Sequence, residues 1–242
     1  TTLIIAPGEK IGQIYGLKAL TTLDQTRPDG TRYISKADEG LYTIVDGRVV
    51  KKSDKQIQFT SDSYPFGDPN PKFNASFINS IGYKDIITLS FQIDWVHGSH
   101  LYNQTKEWMY RDGIHGDFDK PVTIDGQTGA FTAYWVSPYY NTFGFPYGSA
   151  NNSTKDFFYE DASFVRLRNI SLAFDISRMT NIRYFKKLQL VLTGRNIYTK
   201  TKYSGFDPEI SSGPANSSFE RGIDHSSLPN IKSYQVGLNI GL

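Results

Sequence analysis

With 242 residues and no cysteine, the chain has room for one large β domain or two small ones, and no disulfide, thiol nucleophile or zinc–thiolate site. The formal charge is only +2 and Lys and Arg gather on no one face, which argues against nucleic acid as a partner. No run of about 18 apolar residues is present, which excludes a transmembrane helix but not strands that cross a membrane, because those alternate and dilute their hydropathy.

The start, Thr1-Thr2-Leu3, carries no charged-then-apolar leader, so a processing point or other boundary is expected there. A first strand is expected near Gly12 to Leu20. About 50 residues then pass before Phe73, including a Gly/Pro/Asp-rich stretch around Asp62 to Pro71. Phe73, Ala75, Phe77, Ile81 and Tyr83 form an alternating apolar face that Asn79 interrupts. Lys84-Asp85 reads as a tight hairpin. The next segment has the clearest period of two: Ile87, Leu89, Phe91, Ile93 and Trp95 share one face, and Thr88, Ser90, Gln92 and Asp94 the other.

More than 60 residues separate Val96 from Ser163, a long connection for a compact domain. Between Ser163 and Phe174, Ile170, Leu172 and Phe174 fall on one face while Val165 and Leu167 are out of phase. A β-bulge near Arg168-Asn169 would bring the halves together. After a moderate connection, Leu188, Leu190, Leu192 and Tyr198 share a face. A further gap of roughly 35 residues precedes the last strand. There Tyr234, Val236, Leu238, Ile240 and Leu242 alternate with Ser233, Gln235, Gly237, Asn239 and Gly241.

Counted together these are about six strands, with short turns alternating with long connections, as in outer-membrane barrels. If the chain ends in the periplasm, Trp95, Tyr198 and Tyr234 fall at outer strand ends and Tyr83 and Phe174 at inner ends. All are in phase with the apolar faces, as two aromatic belts flanking a lipid-facing band require. The competing architecture is a β-sandwich whose apolar faces meet in a core, for example a secreted or surface-attached carbohydrate-binding domain. Alternation alone does not separate the two. Six strands cannot close a barrel by themselves, since even the smallest have about eight, so a barrel reading makes this chain part of something larger, either a longer polypeptide or a barrel begun by another chain that this one completes.

Several ordered blocks carry a family resemblance. Asp161-Ala-Ser-Phe-Val-Arg-Leu-Arg-Asn-Ile-Ser-Leu172, Gly194-Arg-Asn-Ile-Tyr-Thr199, Tyr203-Ser-Gly-Phe-Asp-Pro-Glu209 and Ser233-Tyr-Gln-Val-Gly-Leu-Asn-Ile-Gly-Leu242 resemble the C-terminal region of SusC/RagA-type TonB-linked transporters. Ile11-Gly-Gln-Ile-Tyr-Gly16 and Gly67-Asp-Pro-Asn-Pro71 look like further blocks in the same order. The resemblance implies an all-β fold: an antiparallel transmembrane barrel of about 22 strands, of which residues 1–242 would supply roughly the last six with long extracellular loops. A plug domain, the earlier strands and the segment that engages TonB would lie outside this chain. It also implies TonB-dependent import of oligosaccharides or peptides across the outer membrane of a Gram-negative, Bacteroidetes-type bacterium, with a SusD-like surface lipoprotein as lid. The chain departs from the usual pattern at its last residue, Leu242, where outer-membrane strands commonly end in an aromatic residue.

Arg166 and Arg168, with Gln92 and Asp94, are expected to face the lumen. The arginines either contact the plug or an anionic group, or pair with barrel carboxylates. Trp108, Tyr110, Tyr134, Trp135, Tyr139, Tyr140, Phe143 and Tyr147 crowd one long loop, and two readings stay open: contact with a partner or substrate, or a small core of the loop's own. His97 and His100 lack a third ligand, and Asp112, Asp117, Asp119 and Asp125 miss the spacing of a calcium loop. No cofactor or metal is expected. Neither a nucleophile elbow, a His-Glu-x-x-His run nor a phosphate-cradling loop is present, so an enzyme is not expected.

Overall fold

The computed structural model describes residues 2–3, 7–8, 10, 12–45, 47–54, 57–112, 114–124, 126–130, 156–180, 184–210 and 222–241. In chain order the strands are β1 Thr2–Leu3, β2 Ile14–Gly16, β3 Tyr42–Val45, β4 Arg48–Lys51, β5 Tyr64–Pro65, β6 Phe73–Tyr83, β7 Ile87–His97, β8 His100–Asn103, β9 Pro121–Ile124, β10 Gln127–Ala130, β11 Tyr159–Asp161, β12 Phe164–Asp175, β13 Lys187–Thr201, β14 Ile223–Asp224 and β15 Ser233–Gly241. They divide between two compact units, one of residues 1–69, 100–160 and 211–227, the other of residues 70–99, 161–210 and 228–242.

The second unit is a five-stranded antiparallel sheet in the order β15-β13-β12-β7-β6. Neighbours in the sheet are neighbours in the chain, an up-and-down meander. Strict alternation sorts its residues onto two faces. Ile81, Leu89, Leu172, Leu192 and Val236 form one row across all five strands. The adjacent row, Ser80, Ser90, Ser171, Thr193 and Gln235, lies on the opposite face. Hydroxyl pairs tie that polar face together, Ser80 to Ser90 at 2.9 Å and Ser171 to Thr193 at 3.2 Å.

Turns obey the expected asymmetry. β6 and β7 are joined by a tight turn in which Lys84 and Asp85 both have positive φ, 48° and 53°, and Ile86 N–H donates to the Tyr83 carbonyl. Two left-handed residues in a hairpin turn match the right-handed twist of the strands. The short helix Ile176–Thr180 lies in the β12–β13 connection at the same edge. Both long connections leave from the other edge.

The bulge lies where parity demanded it. Leu167 and Asn169 of β12 face the consecutive residues Ile93 and Gln92 of β7, and Arg168 between them has no register partner. The extra residue returns Val165 and Leu167 to the face of Ile170, Leu172 and Phe174.

Among the described residues nothing covers the apolar face. Phe77, Ile81, Leu192, Leu238 and Ile240 are exposed, and Val236 is 76% exposed; Leu89, Phe91 and Leu190 are only half-buried. A sandwich would bury such residues, each worth about 1.5–3 kcal/mol when fully removed from water. Trp95, Tyr198 and Tyr234 are exposed on this face toward the long-connection edge, and Tyr83 toward the short-turn edge. Phe174, the other residue expected at that edge, is half-buried on the same face.

The first unit corrects the reading of the connections as loops. Its segments fold together around Ile14, Ala19, Val50, Ile57, Tyr102, Tyr110 and Phe158, with a second cluster of Leu20, Ile34 and Val49. Four small sheets serve it: β1-β2-β5, β3-β4, β9-β10 and β11-β8-β14. The stretch Gly12 to Leu20 contributes only β2 to one of these, so the long sheet holds five of the six expected strands. Three residues pairing with two-residue partners cannot span a bilayer, which takes about 9–11.

Candidate functional site

The polar face of the long sheet carries its most developed chemistry around the bulge. Phe164, Arg166 and Asn169 are on this face by register, and Arg168, displaced by the bulge, reaches Asp94 with its Nε at 2.7 Å. Asp94 also accepts from the Ser76 hydroxyl at 2.9 Å and from Gln92 Nε2 at 2.8 Å. Gln92, Asp94, Arg166 and Arg168, expected together from the sequence, thus share one neighbourhood, although Gln92 and Arg166 act through different partners.

Those partners come from the segment after β13. Arg166 donates to Asp207 Oδ1 through Nη2, to Glu209 Oε2 through Nη1 at 2.8 Å, and to the Thr199 hydroxyl through Nε at 3.0 Å. Its guanidinium also lies 5.0 Å from the Phe164 ring centroid. Arg168 forks onto both oxygens of Glu209, at 2.8 and 2.9 Å. Asp207 further accepts the backbone N–H of Glu209 at 2.9 Å and of Asn230 at 3.0 Å. Burial by itself would push the Asp207 carboxyl up. The Arg166 guanidinium and the two N–H groups outweigh it and hold the carboxyl below its ordinary range.

Two of these pairs differ in kind. Arg166 and Asp207 are 2% and 4% exposed, whereas Arg168 and Glu209 are 27% and 36% exposed. A buried arginine needs every donor matched, and here three carboxylates meet two guanidinium groups. Both arginines are thus paired with carboxylates of this chain. The sequence did not single out Asp207, Glu209 or Asn230. The signal was at hand in Tyr203–Glu209, where two acids flank Pro208. Beside the network an open cleft of about 230 Å³ is bordered by Thr199, Thr201, Phe206, Asn230 and Lys232.

The aromatic loop divides. Trp108 and Tyr110 stand on a helix, Gln104–Arg111, that the sequence reading left as loop. Its start is capped by the Asn103 side chain, which accepts from Lys106 N–H at 2.8 Å. Tyr110 is buried against Phe157 and Phe158, and its hydroxyl donates to Asp117. That ring is packed in a core, as the second of the two readings for this loop has it. Trp108 packs edge-on against His225, with centroids 4.5 Å apart. Tyr134, Trp135, Tyr139, Tyr140, Phe143 and Tyr147 lie outside the described residues.

His97 packs with Phe73 and Trp95, while His100 stacks on Tyr159 at 5.6 Å. Asp117 is engaged by Tyr110, His115 and Lys120, and Asp125 is not among the described residues. No group of three or more metal-ligating side chains occurs among the described residues.

No protein-family model matches the chain. Among curated proteins it is 27% identical over 250 residues to the TonB-dependent receptor P3 of Formosa agariphila, an alignment covering 99% of this chain and 23% of that receptor. It is 29% identical over 87 residues to the TonB-dependent receptor SusC of Bacteroides thetaiotaomicron, covering 35% of this chain and 8% of SusC. Among solved structures, the RagAB peptide importer in its open-open state superposes with a TM-score of 0.55 at 18% identity, covering the whole of this chain and 24% of that one. The chain thus spans about a quarter of the length of the relatives it matches end to end. None of these relatives is named as an enzyme. In sequence and in fold the chain is thus similar to a portion of larger TonB-dependent receptor β-barrels of the SusC and RagA kind.

Proposed function

We propose that the long sheet is a section of barrel wall, its apolar face against outer-membrane lipid and its polar face lining the lumen, in an importer that moves oligosaccharides or peptides. The observation that carries this reading is the uncovered apolar face, with Val236 at 76% exposure, backed by a polar face cross-linked by hydroxyls and ion pairs. Left in water, that apolar surface would be a liability. Against hydrocarbon it is the solvent-matched face of a spanning sheet. The sheet would be the C-terminal part of the barrel, and the short turns between β6 and β7 and between β12 and β13 would face the periplasm. Substrate would be captured under a SusD-like lipoprotein, and TonB would supply work through a segment outside this chain. RagAB is described as a peptide importer, which favours including peptides among the substrates.

Two single-cysteine substitutions test the wall, in a receptor whose cysteines outside this chain have been replaced; the chain itself has none. In the complete receptor in membranes, Gln235→Cys is expected to react with a water-soluble maleimide reaching the lumen, and Val236→Cys to resist it until detergent is added. Equal labelling of both positions from water would overturn the barrel reading. Loss of uptake on deleting TonB or the lipoprotein tests the transport step separately.

A further inference from the structure

The network around Arg166 does more than neutralise charge: it joins two places far apart in the chain. Asp207 and Glu209 stand at the beginning of the β13–β15 connection and Asn230 near its end. Asp207 holds both, accepting Arg166 from β12, Glu209 N–H at 2.9 Å and Asn230 N–H at 3.0 Å. Ile210 N–H donates to the Asp207 carbonyl at 3.3 Å, and Asn230 Nδ2 reaches Glu209 at 3.0 Å. The chain leaves this unit after Ile210 and re-enters it at Leu228, so the network sits at the base of the excursion.

We infer that Asp207 is a cinch: with Arg166 as its anchor it closes the base of the β13–β15 connection, so that the register of β13 with β15 does not depend on the residues between. Two tiers follow from burial. The inner tie, Arg166 to Asp207, is 2% and 4% exposed and shielded from salt; the outer tie, Arg168 to Glu209, is 27% and 36% exposed and open to screening. All three backbone amides at the base bond to Asp207 and none to Glu209. The outer tie therefore reinforces, and the inner tie closes. Phe206, 69% exposed beside the buried Asp207 and Pro208, is carried at a fixed place by the same closure. If the receptor imports solute, as proposed above, the cinch keeps β13 and β15 paired during transport; the closure itself does not depend on that reading.

Hydrogen exchange of the complete receptor in detergent tests this. With Asp207→Asn, the amides of Glu209, Ile210 and Asn230 should exchange at least about tenfold faster, while ladder amides of β13 and β15 keep their protection. Glu209→Gln should change the three base amides by less than about threefold. Equal effects of the two substitutions, or none from Asp207→Asn, overturn the inference. Should Asp207→Asn fail to fold, a protease site inserted between Ser227 and Leu228 gives the same answer without touching the network. After cleavage the base amides and the β15 ladder should stay protected, and their release would refute the cinch.

Discussion

Removing Arg166 and removing Arg168 should have unequal consequences, and burial sets the ratio. Arg166→Met keeps most of the side-chain volume but leaves Asp207, 4% exposed, without its cation. Breaking a buried pair by deleting one partner costs about 3–5 kcal/mol. Asp207 retains the N–H groups of Glu209 and Asn230, and Glu209 retains Arg168, which places the loss near the lower end, about 3 kcal/mol. Arg168→Met removes a forked pair with Glu209 and a single bond to Asp94. At 27% and 36% exposure those are screened contacts worth about 1 kcal/mol together. The difference, about 2 kcal/mol, is roughly a 30-fold ratio of unfolding constants. Urea unfolding of the complete receptor in detergent, followed by tryptophan emission, measures both. The Arg168→Met deficit should shrink in high salt and the Arg166→Met deficit should persist. An Arg168→Met loss equal to or larger than that of Arg166→Met would refute the assignment of inner and outer ties.

Other outcomes follow from the two faces, the hairpin and one histidine. Val236→Arg lies in the central row of the apolar face and should destabilise the membrane-inserted barrel by about 2–4 kcal/mol, while Gln235→Arg in the adjacent polar row should cost well under half of that; urea unfolding in lipid vesicles reads both. Replacing Lys84-Asp85 by Asn-Gly should stabilise the hairpin by about 1 kcal/mol, since both residues occupy the left-handed region; an unchanged urea midpoint would argue against the turn. His115, in the first unit, is held below its ordinary pKa chiefly by burial. Its neutral form accepts the Asp117 N–H at 3.1 Å through Nδ1. A histidine depressed in the folded state contributes stability that is complete above its unfolded value of about 6.5 and is lost as pH falls toward the folded one. His115→Gln should therefore flatten the decline in stability between neutral and mildly acidic pH, and an unaltered pH profile would remove this histidine from the account.

Much of the long sheet was legible because alternation is a local property. Ile87 to Val96 states its two faces in ten residues, and the hairpin at Lys84-Asp85 follows from the short gap between two alternating runs. Even the bulge could be read, since Val165 and Leu167 out of phase with Ile170 and Leu172 require one extra residue between them. The resemblance of Asp161–Leu172 and Tyr203–Glu209 to a family of barrels pointed to the same architecture.

What tertiary structure decided were the pairings between distant segments. Arg166 and Asp207 are 41 positions apart, and nothing in either neighbourhood names the other. Their meeting depends on β12 and β13 reaching their final register and on the chain turning back over the polar face. The stretches taken for loops lack sustained periodicity because each supplies only a few residues to a shared core. Ile14, Val50, Tyr102 and Phe158 become a cluster only when segments from across the chain assemble. Tyr110 shows the same limit: its composition suits a surface or a core equally, and only the helix capped by Asn103 turns it inward. Local pattern fixes which way a side chain points from its own strand, whereas burial is a property of everything that strand meets.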